Sequence, residues 1–252
     1  MTKVVIFGTG NLATHLYKAF LNAQQVEVAA IWGRSTPSKA QFGQAGMRTS
    51  SLSKIPEAAV YLICITDDAV SGFSRQLSQE AFVVHTSGAL GLDVLTQARR
   101  GIFWPIQTFT KSKEVSINGV PICIEATNPK DVSTLKKLAK AIKAKPTEVN
   151  SAQRAYLHVA AVFVNNFVNQ LYSSAHDLLE SQKLSFDLLK ALILETANKG
   201  VNASPKSIQT GPAKRGDKSV MKSHKSLLNK EQQKLYVTLS EAIYKTHNNN
   251  EL

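Results

Sequence analysis

The sequence predicts an α/β chain in two parts, a parallel-sheet domain over residues 1–150 followed by an all-α domain over residues 151–252. Three observations predict it. Short, continuous apolar runs alternate with helical patterns as far as Val149, as buried parallel strands joined by crossover helices do. A glycine turn joins the first strand to the first helix. Beyond Ser151 the apolar spacing is helical only.

The first strand is Val4-Val5-Ile6-Phe7, and the helix after it runs to about Ala23. Between them lies Gly8-Thr9-Gly10-Asn11-Leu12-Ala13. Gly8 permits the tight turn. Gly10 lacks a side chain, so a pyrophosphate can approach the backbone, and Ala13 is small enough for helix to pack on strand. The bare amides at the helix start, with the helix dipole, favour a phosphate. This is a Rossmann-like dinucleotide site made by Gly8, Gly10, Asn11, Leu12 and Ala13. The second strand is Val26–Trp32. An NAD-specific fold places an acid at its end to bind the ribose 2′-hydroxyl. Here Trp32-Gly33 is followed by Arg34-Ser35-Thr36, with no acid. Arg34 and Ser35 suit a 2′-phosphate instead, so NADP (as NADPH) is expected over NAD. Lys39 adds charge from the next helix.

Residues 43–53 read as a loop with a short strand. Ala58–Ile65 is a central buried strand that ends in Thr66-Asp67-Asp68, at the carboxyl edge where ligands bind in open α/β sheets. A helix over 69–77 follows, with Asp67 or Asp68 expected as its cap and the other facing the cofactor. Phe82–His85 is the next strand and ends in Thr86-Ser87-Gly88-Ala89. Ser87 is a candidate contact to nicotinamide or substrate, and His85 a satisfied core histidine. Residues 93–100 read as helical. Ile102–Pro105 is a strand closed by proline, with Gln107 and Thr108 as polar groups at its end. A strand over 120–125, an amphipathic helix over 131–143 and a strand over 146–149 complete the domain.

Residues 151–180 form one long helix. Leu157, Ala160, Ala161, Val164, Phe167, Val168, Leu171 and Ala175 make a wide apolar arc. One polar stripe survives: Arg154, His158, Asn165, Asn169, Tyr172 and His176, at spacings of 4, 7, 4, 3 and 4. A polar stripe on a largely buried helix needs partners, either a ligand or another polar element. Asn166 reaches the same cleft if the helix packs obliquely. A second helix over 185–199 is capped by Ser185 and stopped at Gly200. Ser204–Asp217 is a long connection containing Thr210-Gly211-Pro212-Ala213-Lys214-Arg215-Gly216-Asp217. An ordered loop with this chemistry is a functional candidate. Asp217 caps the next helix, and Asn229 with Gln232 makes a capping box for the last, over 230–247. Asn248-Asn249-Asn250 reads as a frayed tail.

Bulk properties narrow the function. No leader of basic then apolar residues precedes Val4, so no signal peptide is expected. No run of about 18 uninterrupted apolar residues suggests a membrane span. Cys64 and Cys123 each sit in an apolar strand and read as buried thiols of a reducing compartment, with neither a disulfide nor a metal site expected. A cytoplasmic location follows by default. The net charge is +12, and residues 206–234 supply +6 of it. That segment is either a solvated basic face or the rim of a pocket for an anion. Its few aromatic residues argue against stacking on nucleic acid.

Taken together, these motifs resemble the Rossmann-like proteins that carry a DUF2520 C-terminal domain, a group related to pyrroline-5-carboxylate reductase and F420-dependent NADP oxidoreductase. The resemblance rests on Gly8–Ala13, Asp67-Asp68, His85–Ala89, Pro105–Phe109, His158–Phe163 with Asn165-Asn166, and Thr210–Asp217. It implies an NAD(P)-binding domain, a helical domain like the C-terminal one of 6-phosphogluconate dehydrogenase, and a homodimer. Many members carry His before the proline at position 105. This chain has Trp104, so acid–base chemistry from that position is absent.

The expected function is transfer of hydride from NADPH to a small, anionic C=O or C=N substrate. The cofactor would lie across Gly8–Ala13, Arg34, Ser35, Thr66, Asp67 and Asp68. His158 is the candidate acid, with Asn165 and Ser87 as further catalytic candidates. Gln107, Asn166, Thr210, Lys214 and Arg215 are substrate candidates. The polar stripe and the 210–217 loop would meet at the sheet edge. The alternative is a protein that binds or senses NADP(H) without turnover. The wide apolar arc predicts a homodimer built through residues 151–252.

Overall fold

A computed structural model describes residues 1–111 and 113–248. The expected tail at Asn249 and Asn250 lies outside these residues. The chain divides into two compact units, Met1–Asn165 and Asn166–Leu252. The sequence-predicted domain boundary at residue 150 differs, because the start of the long helix belongs with the first unit.

The first unit is an eight-stranded sheet in the order β3-β2-β1-β4-β5-β6-β7-β8. The strands are β1 Thr2–Phe7, β2 Val26–Trp32, β3 Met47–Thr49, β4 Val60–Ile63, β5 Val83–His85, β6 Arg100–Pro105, β7 Pro121–Ala126 and β8 Lys145–Glu148. β1 to β6 run parallel. β7 is antiparallel to β6, with Gly101 opposite Ala126 and Pro105 opposite Ile122, and β8 runs parallel to β7. Side chains alternate across the sheet. Val4 and Ile6 join Leu16, Phe20, Leu62, Phe103 and Leu135 in one core layer. Val5 and Phe7 join Ile63, Val70 and Phe73 in the other.

Three helices matter for the cleft. α1 (Asn11–Leu21) follows the glycine turn, α2 (Lys39–Phe42) follows β2, and α3 (Asp67–Ser74) follows β4. Neither Asp67 nor Asp68 caps α3, as was expected. Thr66 is the capping residue and makes no side-chain cap bond, while both acids sit inside the first turn, where their charge complements the positive end of the helix dipole. The helix expected over 93–100 is also absent. Only Leu92–Val94 make a single 3-10 turn. The rest is committed to tertiary bonds: buried Gln97 donates to the carbonyls of Ser74 and Leu77 across the end of α3. Arg99 grips buried Asp131 with both Nε and Nη2. Asp131 lies in α4 (Pro129–Ala141), whose cap is Asn128.

The long helix begins as α5 (Ser151–Ala161), with a capping box between Asn150 and Gln153. It widens into a π-type turn over Val162–Phe167 and continues as α6 (Val168–Ser181). A regular helix over 151–180 is therefore corrected. Such π turns recur at functional sites.

The second unit is helical. Phe186–Leu189 make a 3-10 turn entered through the Ser185 cap, and α7 runs Lys190–Asn202. Gly200 does not stop it. Pro205 does, because the residue before a proline is pushed to extended backbone, and Ser204 has ψ 123°. The expected connection over 204–217 contains two short helices, α8 (Pro205–Ile208) and α9 (Pro212–Arg215). Gly216 ends α9 in the left-handed region at φ 69°. Asp217 caps α10 (Lys218–Ser226) by accepting from the Val220 amide. Asn229 and Gln232 form the expected box ahead of α11 (Lys230–Asn248). Asn248 is not frayed: its side chain donates to the carbonyls of Lys214 and Tyr244. No helix among the described residues is long and apolar enough to cross a membrane.

Candidate functional site: a cleft at the carboxyl edge of the sheet

The carboxyl ends of β1, β2, β4 and β5 open into a cleft of about 940 Å³. That volume is within the usual range for small-molecule and cofactor sites. Its lining includes Gly8, Gly10, Asn11, Leu12, Arg34, Thr66, Asp67 and Ser87. The sequence therefore placed most of the cofactor candidates on one surface. Three stand apart. Ala13 is fully buried beneath the turn, in the helix-packing position. Ser35 and Asp68 are exposed and do not line the cleft.

The turn is shaped for a backbone-bound anion. Gly8 has φ 130°, and a Cβ there would stand 2.1 Å from the Cys64 carbonyl oxygen, so no side chain fits. A Cβ on Gly10 would meet nothing within 4 Å, leaving open space over the start of α1. α1 has no side-chain cap and no acid in its first turn. Its free amides thus have no fixed negative partner. Gln41 of α2 steadies the turn by donating to the Thr9 carbonyl and the Thr14 hydroxyl. At the β2 end, Trp32 packs against Phe73, with ring centroids 4.8 Å apart. Its Nε1 is buried and has no hydrogen-bond partner among the described residues. These features fit a dinucleotide: a glycine cradle, unfilled helix amides, a buried indole donor in the wall, and exposed Arg34 where NAD-specific folds place an acid.

Ser87 is 9% exposed, and its hydroxyl is committed locally. It donates to Asp67 Oδ2 at 2.8 Å and accepts from the amides of Ala89 and Leu90. A hydroxyl has one proton to give. In this geometry Ser87 lines the cleft with its proton held by Asp67. Behind it, His85 is fully buried: Nδ1 accepts from the Ser87 amide, and Nε2 donates to the Gly91 carbonyl. Burial, helped by the nearby charge of Arg154, holds this imidazole neutral and lowers its pKa from 6.5 to about 4. The unfolded chain takes up this proton first as the pH falls. The stability tied to neutral His85 is therefore full above about pH 6.5 and is lost towards pH 4, by on the order of 3 kcal/mol. Urea unfolding between pH 7.5 and 4.5 should show this slope, and His85→Gln should flatten it. Cys64, also on the cleft wall, is a buried thiol that burial pushes up to about 12, which removes it as a thiolate nucleophile.

α5 brings His158 to the same edge. Its ring meets Trp104 edge-on at 5.6 Å, and both rings close over Gly88. A Cβ on Gly88 would lie 2.6 Å from the Trp104 ring and 2.7 Å from the His158 ring. His158 and Ser87 are thus brought together around one glycine. Arg154 is not. Of the two partners open to the stripe, a ligand or another polar element, Arg154 takes the second: its side chain is 1% exposed and both terminal nitrogens are bonded, while buried Nε has no partner among the described residues. Nη1 pairs with Glu125 Oε2 at 2.5 Å, and Nη2 donates to the Leu90 carbonyl and Ser151 Oγ. Gln107 is exposed, lies off the cleft, and accepts from the Thr108 amide. Asn165 and Asn166 are exposed within the π-type turn. In the second unit Thr210 and Arg215 are exposed, while Lys214 Nζ donates to the Gln209 carbonyl. Among the lining residues that the sequence did not single out as candidates are Gln76, Thr86 and Lys111, the last reaching the cleft from the segment after β6.

Comparison with known proteins follows this geometry. DUF2520, a domain of unknown function, matches residues 120–243. Among solved structures, a Bacteroides fragilis protein assigned as an NADP oxidoreductase is 33% identical, covering 97% of this chain and 98% of its own, with a TM-score of 0.84. A Thermotoga maritima protein is 20% identical over 99% of this chain and 100% of its own, with a TM-score of 0.73. Pyrroline carboxylate reductase from Plasmodium falciparum, solved with NADP bound, is 13% identical over 96% and 98%, with a TM-score of 0.62. The last two share the fold. No curated protein matches the chain. The glycine turn, the sheet order and full-length likeness at 33% identity agree, and the chain belongs to the Rossmann-like, DUF2520 domain-containing family.

Proposed function

We propose that this protein is an NADP(H)-dependent oxidoreductase that transfers hydride to a small, anionic C=O or C=N substrate. The observation that carries the reading is the Gly8–Leu12 cradle at the head of the cleft, with Arg34 in the place of an acid. The Bacteroides fragilis relative and the NADP-bound Plasmodium falciparum reductase support the cofactor, and a reductive aminase from Aspergillus terreus held NADPH on a similar fold. The nicotinamide would supply the hydride. The chain's own residues would hold the phosphates at Gly8–Leu12 and Arg34, steady the nicotinamide end with Thr66 and Asp67, and protonate the product from His158. Exposed Arg215 and Thr210 in the helical unit suit an anionic group. We assign Asn165 and Asn166 to substrate orientation, and place the protein in the cytoplasm as a homodimer.

Fluorescence titration tests the cofactor choice. NADPH should bind more tightly than NADH, and Arg34→Ala should weaken NADPH alone by about tenfold or more, since a charge-assisted bond contributes about 1.5–3 kcal/mol. Equal affinities in the parent protein, or an unchanged variant, would sink the reading. A second reading is favoured by Trp104 and by the engaged Ser87 hydroxyl: an NADP(H)-binding protein without turnover. Consumption of NADPH with keto acids, aldehydes and cyclic imines separates the two.

A further inference from the structure

The segment after β6 lies against the start of α1, tied from two sides. Asn11 Nδ2 donates to the Phe109 carbonyl at 2.8 Å. His15 is 6% exposed; its Nε2 bonds the Lys113 carbonyl at 3.1 Å, and its ring packs on Phe109 at 4.9 Å. Its Nδ1 faces the Asn11 carbonyl at 2.8 Å within α1, and an imidazole with one N–H donates to one of these two carbonyls. Between these two ties stands Lys111, exposed and lining the cleft with Gly8–Leu12. It has no ion pair among the described residues. The acid among the described lining residues is Asp67, and that carboxylate already accepts from Ser87. The ties fix a cation beside helix amides that have no negative partner of their own, where a pyrophosphate rests in this fold. Arg34, beyond β2, belongs to the ribose end.

We propose that Lys111 binds the cofactor pyrophosphate, with His15 as the positioning residue that holds its segment over α1. This rests on the nucleotide reading of the cleft. Because NADPH and NADH share the pyrophosphate, Lys111 contributes to both, whereas Arg34 separates them.

Kd values for NADPH and NADH, from fluorescence titration of the full chain, test it. Lys111→Met should raise both Kd values by a similar factor of roughly tenfold, the scale of one charge-assisted contact. Lys111→Arg should retain most of the affinity. His15→Leu should weaken binding in the parent chain and add little in the Lys111→Met background, because the two act through one contact. No change in Lys111→Met, or a loss confined to NADPH, would overturn the assignment while the nucleotide reading stands. A full, additive loss from His15→Leu in both backgrounds would remove His15 as a positioning residue. A parent protein that binds neither cofactor would overturn the nucleotide reading and this assignment together.

Discussion

Arg154→Met is expected to destabilise the first unit by about 3–5 kcal/mol, the cost of breaking a buried ion pair by removing one partner. The guanidinium is 1% exposed and serves three acceptors on three segments: Glu125 on β7, the Leu90 carbonyl after β5, and Ser151 at the start of α5. Among the described residues, Glu125, at 18% exposed, would keep only the Ser151 hydroxyl. Arg154→Lys should not rescue, because an ammonium lacks the fork that spans these acceptors. Arg154→Met with Glu125→Leu should recover much of the loss, since no half-buried carboxylate is then stranded. Urea unfolding measures all three. A change under about 1 kcal/mol for Arg154→Met would place the residue among ordinary surface pairs instead.

The second large effect concerns assembly. Among the described residues of the helical unit, Ala213 is the one apolar side chain that is buried. Leu188, Leu192, Leu194 and Leu227 are each more than half exposed. Monomeric proteins rarely leave so much apolar surface in water. Light scattering should give twice the 27.5 kDa chain mass. Leu188→Glu with Leu192→Glu should return the mass to that of one chain, since each Leu buried at an interface contributes about 1.5–3 kcal/mol. A parent protein of 27.5 kDa at every concentration would rule out the homodimer.

The sheet was legible because its central strands, β1, β4 and β5, are buried on both faces. Ala58–Ile65 needs no alternation to be read, and the GxGxxA spacing marks where β1 gives way to α1. The caps at Ser185, Asp217 and Asn229 were legible for a similar reason, since each acts within three residues of itself. What was not legible depends on distant partners. A polar residue on an apolar helix face has two solutions, a ligand or a buried pair, and Glu125 lies 29 residues before Arg154. Lys111 owes its place to Asn11 and His15, whose bonds to its segment each span 98 residues. The π-type turn leaves no mark in composition, so counting the stripe at regular helical spacing carried it straight through Val162–Phe167. Ser87 was found at the right edge, but the direction of its proton depends on Asp67, 20 residues away.

The reversal of β7 has a consequence for how the chain is routed. Because β7 runs against β6, Glu125 pairs with Ile102, which is level with His85 and Ile63 at the carboxyl ends of β5 and β4. α5 starts beside that level, with Ser151 bonded to Glu125, and its next turns carry Arg154 to the Leu90 carbonyl and His158 to Gly88 and Trp104. Seven residues of helix cover about 10 Å at 1.5 Å each. One antiparallel pairing thus sets the carboxylate that anchors α5 at the edge of the cleft itself.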